Sequence, residues 1–232
     1  MTYRSLNPEF INKQLSRLSL RISERFPSSG LLKICRELEV VGDNTRERAE
    51  WLGQPIYYLR AGSWTLALLL ALGVVATVFS LRIPGQELHF FDFIQLLEAG
   101  INDVVFIAAA IFFLITIEAR IKRKRALAHV HELRSIVHII DMHQLTKDPE
   151  RLLDRGPTTE SSPTQRMSAF ELSRYLDYCS EMLSLSGKLA ALYVQGFDDA
   201  VVLASVSELE SLTTELSTKI WQKILIVHSF ED

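Results

Sequence analysis

The stretch "RKRALAHVHELRSIVHIIDMH", Arg123 to His143, gathers four histidines, two acids and a dense set of cations. Histidine and glutamate together are the side chains of hydrolytic zinc sites. The zincin form needs two histidines four apart on a helix, with a glutamate beside the first as base. His131-Glu132 begins that pattern, but Ser135 stands where the second histidine must be. His131 and His138 share one helical face, whereas His129 and His143 point elsewhere at ~100° per residue. No companion ligand cluster is visible in the chain, so neither a metal nor any other cofactor is expected. Arg134, His138 and Asp141 fall at i, i+4 and i+7 and are expected to form a polar ladder that specifies which helix pairs with which. A histidine held between a guanidinium and a carboxylate would also titrate near neutrality, a subordinate pH-sensing reading.

Other catalytic patterns fail on the same kind of test. Ser186-Gly187-Lys188 echoes the end of a phosphate-binding loop, yet Met182 replaces its first glycine and the segment reads as mid-helix. Neither a Gly-x-Ser-x-Gly elbow nor a dinucleotide fingerprint occurs. Asp198 and Asp199 sit where a helix cap is needed. Cys35 and Cys179 are isolated and lack metal-ligand spacing, which suits reduced packing residues. With no catalytic residue to assign, a non-enzymatic protein is expected.

The elements that carry these residues are set by hydropathy. The chain is 48% hydrophobic, more than a soluble domain needs. From Ala61 to Leu81 no charge occurs, long enough to cross ~30 Å of hydrocarbon at ~1.5 Å per residue. A second run, "VVFIAAAIFFLITI", lies between Asp103 and Glu118, two acids at the membrane ends of a second span. Arg46, Arg48 and Arg60 precede the first span, and Arg120, Lys122, Arg123, Lys124 and Arg125 follow the second as topology and lipid-headgroup anchors. Arg82 is the sole cation between the spans, so both termini are expected in the cytoplasm of a multi-pass plasma (inner) membrane protein. The start "MTYRSLNPEF" lacks the basic and apolar regions of a cleaved signal.

Asn7-Pro8-Glu9 starts a helix. Along it Ile11, Leu15, Leu18, Ile22 and Phe26 form an apolar row and Lys13, Arg17, Arg21 and Arg25 a basic one. That basic surface helix suits either anionic lipid or the solvated edge of a bundle. Two further short helices are expected in "LLKICRELEVVG" and "DNTRERAEWLG", the latter capped by Asp43 or Asn44. Beyond the second span Ala126, Val130, Leu133, Val137, Ile140 and Gln144 recur in a seven-residue seam. Ser168 and Glu171 make a capping box. Two more seams follow, Leu172 to Tyr193 and Val202 to Val227, joined by a turn at Gly196 to Asp199.

The expected fold is therefore an all-α integral membrane protein with two transmembrane helices and an elongated cytoplasmic bundle ending in a long αα-hairpin. Its segments are 1–62 N-terminal helices, 63–82 first span, 83–101 extracytoplasmic amphipathic loop, 102–118 second span, 119–147 stalk, 148–167 linker and 168–232 hairpin. A net charge of −3 argues against a nucleic-acid partner. The expected function is a membrane-anchored interaction or scaffold protein, partnered by the bilayer, by a second copy of itself and by a cytosolic protein. The alternative is a homo-oligomeric channel or membrane-disrupting effector gated by its cytoplasmic bundle, with rings of Asp103 or Glu118 at the ends of the spans.

Overall fold

The computed structural model describes residues 5–80, 90–149, 160 and 167–229. Among them the regular elements are helices: α1 Pro8–Arg25, α2 Gly30–Gly53, α3 Tyr57–Ser80, α4 Phe90–Leu145, α5 Ala169–Gln195 and α6 Ala200–His228. The chain divides into two compact units, Met1–Gly53 with Arg125–Asp232, and Gln54–Lys124.

In the first unit, the Asn7 side chain accepts from the backbone N–H groups of Glu9 and Phe10 at 2.9 and 3.3 Å, which caps α1 above Pro8. Ile11, Leu15, Leu18 and Ile22 are buried, and α1 packs on α2 and α5. Protein therefore covers the apolar face that lipid could have taken, while Lys13 and Arg17 face solvent. Phe26 ends the helix and its ring meets Tyr175 edge-on at 5.5 Å.

The two short helices expected between residues 31 and 53 are one helix, α2. Gly42 lies inside it, where a Cβ would come within 2.8 Å of Asn12 Oδ1 and 2.9 Å of a Leu15 methyl. The missing side chain lets α1 cross closely, so this glycine marks contact rather than a break. Asn44 donates back to the Val40 carbonyl, and Asp43 accepts from Asn12, so neither caps a new helix.

The three heptad seams are buried as spaced. Ala126, Val130, Leu133, Val137 and Ile140 have no exposure, and Gln144 almost none. On α5 and α6 the rows from Leu172 to Tyr193 and from Val202 to Val227 close on each other. Each fully buried Leu or Ile among them contributes roughly 2 kcal/mol. Ser168 and Glu171 form the reciprocal capping box at the start of α5. Asp199 accepts from the N–H groups of Val201 and Val202 at the start of α6. Lys223 on α6 closes the end of α4, its ammonium donating to the Gln144 carbonyl at 2.9 Å, the Gln144 amide oxygen at 2.7 Å and the Lys147 carbonyl at 3.3 Å.

α4 carries no backbone break at residues 102 or 118. Residues 90–101, expected as part of a loop, are its first turns. Residues 81–89 and most of the expected linker, 148–167, lie outside the described residues. The second unit consists of α3 and the part of α4 up to Lys124.

Candidate functional site

The second unit turns large apolar side chains outward. Trp64 is 76% exposed, Phe106 73% and Phe112 69%, and Leu68, Leu69, Leu72, Ile101, Val104 and Val105 are exposed with them. Among the described residues one stretch of helix, Gly30–Gly73, holds a window long and apolar enough to cross a membrane, and 6% of that window is buried. The charges of α2 confine the window to the α3 side. Where a second span was expected at 102–118, the corresponding apolar stretch is the shorter Gly100–Ala110. One span of the expected two thus has the required length among the described residues. Asp103 belongs to the helical backbone of α4, and its side chain lies outside what is described.

At the other end of this unit Glu118 closes an ionic clasp. Its carboxylate accepts from Arg60 Nε at 2.8 Å, lies 3.0 Å from Lys122 Nζ, and accepts from the Ile56 N–H at 3.3 Å. Lys122 also donates to the Gln54 carbonyl at 2.6 Å and is 6% exposed. A carboxylate removed from water needs such partners for each of its lone pairs. The clasp joins the chain entering α3 to α4.

The cation row 120–125 therefore splits. Lys122 is an internal strut, whereas Arg120 and Lys124 are exposed, Arg120 over the Phe113 ring at 5.7 Å. Arg123 is partly buried. In the first unit, Arg125 lies over the Trp51 ring at 4.3 Å. On α1, Arg21 pairs with Glu181 and covers Tyr178, and Arg25 covers Phe170.

The expected ladder of Arg134, His138 and Asp141 does not bond along its own row. Arg134 donates to Glu208 of α6 at 2.8 Å, Asp141 accepts from Gln144 at 2.6 Å, and His138 faces solvent. The histidine drawn into a network is His129. Its ring stacks on Tyr193 at 5.6 Å and its Nδ1 lies 3.7 Å from Glu132, which accepts from Arg48 at 2.7 Å. The Tyr193 hydroxyl meets Thr45 Oγ1 at 3.2 Å. Burial, aided by Arg48, lowers the His129 pKa, with Glu132 opposing. His143 instead packs its ring on Gly30, where an added Cβ would collide with Nε2. Among the described residues no group of three or more metal-ligating side chains converges.

No protein-family model, curated protein or solved structure matches this chain.

Two features escaped the sequence. The clasp joins residues 58 to 68 positions apart, which only the folded chain brings together. The network around His129 needed the place of Tyr193, whose heptad position marks it as buried without naming its neighbour.

Proposed function

We propose that the chain is a two-span protein of the plasma (inner) membrane, with both termini in the cytoplasm, acting as a non-enzymatic interaction or scaffold module. The observation that carries this reading is the outward apolar surface of the second unit, set against a first unit whose core residues are sealed from solvent. Leaving a large apolar side chain in water forgoes roughly 1.5–3 kcal/mol, and a contiguous patch of many such residues marks a lipid or protein contact. Lipid supplies that contact along both helices, with Tyr57, Tyr58 and Trp64 at the interface. The cation distribution sets the orientation.

On the cytoplasmic side, α6 keeps Leu203, Trp221 and Leu225 exposed beyond the seam that packs on α5, and these offer a surface to a second copy or a cytosolic protein. The pore reading is weaker, because Glu118 is occupied by Arg60 and Lys122 within one chain.

Reconstitution in dye-loaded vesicles, with the protein's mass measured in detergent, tests the choice. The scaffold reading expects tight vesicles and self-association, or capture of a cytosolic protein, that weakens in Trp221→Ala. Dye release abolished by Glu118→Ala, in a variant that still folds, would replace it with the pore.

A further inference from the structure

Among the described residues of the second unit, two cations stand apart. Arg120 and Lys124 are i, i+4 on α4, both exposed, and neither makes a hydrogen bond or ion pair with a described residue. Lys122 between them faces inward on Gln54 and Glu118. Arg60 is exposed too, but its charge is matched by Glu118. Phe106, Phe113 and Arg120 recur every seven residues, so an exposed apolar strip leads along one face of α4 into the free guanidinium. The Arg120 guanidinium carbon lies over the Phe113 ring at 5.7 Å, which places the cation at the end of this strip with its N–H donors unused by any described residue.

The geometry points to an anionic phospholipid bound on this face, its acyl chain along Phe106 and Phe113 and its phosphate held by Arg120 and Lys124. This rests on the membrane reading above and adds a choice of lipid to it. A guanidinium presents paired donors to phosphate oxygens, and the lysine adds a point charge one turn on. A zwitterionic headgroup carries its own ammonium, which repels the two cations. A phosphatidylglycerol headgroup keeps its net negative charge and is preferred.

The test uses the full chain in phosphatidylcholine membranes doped with spin-labelled phosphatidylglycerol or spin-labelled phosphatidylcholine, and reads the ratio of their association constants. Each surface cation contributes on the order of fivefold, so the wild-type ratio should be ~10 or more and should approach one in the Arg120→Gln, Lys124→Gln double variant. Lys122→Gln should lower the melting temperature and leave the ratio intact. Excess soluble glycerophosphate should not displace the labelled lipid, because the Phe106 and Phe113 contact is part of the site. A wild-type ratio near one, or a ratio that survives the double substitution, overturns the inference while leaving the membrane reading in place. Failure of the wild type to enter the membrane at all overturns both.

Discussion

Lys122 Nζ lies 2.6 Å from the Gln54 carbonyl oxygen, so a lysine in the most cationic stretch of the chain is turned inward, away from solvent. Together with its 3.0 Å contact to Glu118, this makes the clasp the joint between the entry to α3 and the middle of α4. Replacing Lys122 by methionine keeps the aliphatic stem and removes the charge, leaving Glu118 with Arg60 and the Ile56 N–H. Loss of a charged hydrogen bond at a site this buried should cost about 2 kcal/mol, read as a lower thermal midpoint in detergent. An Arg60→Gln change should cost less, since Arg60 is largely exposed.

His129 sets a pH dependence whose sign follows from its burial. Its pKa in the folded chain is lowered from the ordinary 6.5, so between the two values the unfolded chain binds more protons than the folded one. Stability should then be complete above about pH 6.5 and fall on acidification through that value. The charged groups facing the ring are Arg48 from α2 and Arg125 and Glu132 from α4, with Tyr193 of α5 stacked beneath. Urea midpoints at pH 7.5 and 5.5 should differ more for the wild type than for His129→Gln. Equal differences would assign the pH response to other groups.

Gly42 should tolerate no side chain larger than its neighbours can accommodate. Gly42→Val forces the Asn12 and Leu15 side chains aside at the α1–α2 crossing, an overpacking cost of about 1–3 kcal/mol. Circular dichroism melts of the two proteins measure it, and an unchanged midpoint would mean that α1 can slide away.

Both thiols should be inert in the folded chain. Cys35 and Cys179 are free and buried, and desolvation pushes each pKa up to about 12. Iodoacetamide at pH 8 should label neither until denaturant opens the first unit, after which both react; mass spectrometry counts the additions.

The helices and their buried rows were legible because a seven-residue seam states which side of a helix is covered. The seam 126–144 and the rows of α5 and α6 are buried as their spacing requires. So were the caps at Asn7 and Ser168, where one side chain and its nearest N–H groups suffice. The cap expected at Asp43 or Asn44 misled, because a Gly-Asp-Asn run that separates two helices and one inside a helix whose glycine permits a crossing look alike until the neighbouring helix is known. The polar ladder misled in another way: charges at helical spacing bond to whatever element stands opposite, and Arg134 found Glu208 on α6. Lys122 could not be distinguished from Arg120 and Lys124 by composition, since only the position of Gln54 turns it inward.

The surroundings of Trp64 test the central claim most directly. With Trp51 and Trp221 replaced by phenylalanine, the full chain reconstituted in vesicles keeps one fluorophore on α3. Lipids brominated near the headgroup end of the acyl chain should quench its emission strongly, and aqueous iodide should quench it less than it does a tryptophan in water. Strong iodide quenching with no effect of the brominated lipids would place α3 in water and contradict a membrane-embedded second unit.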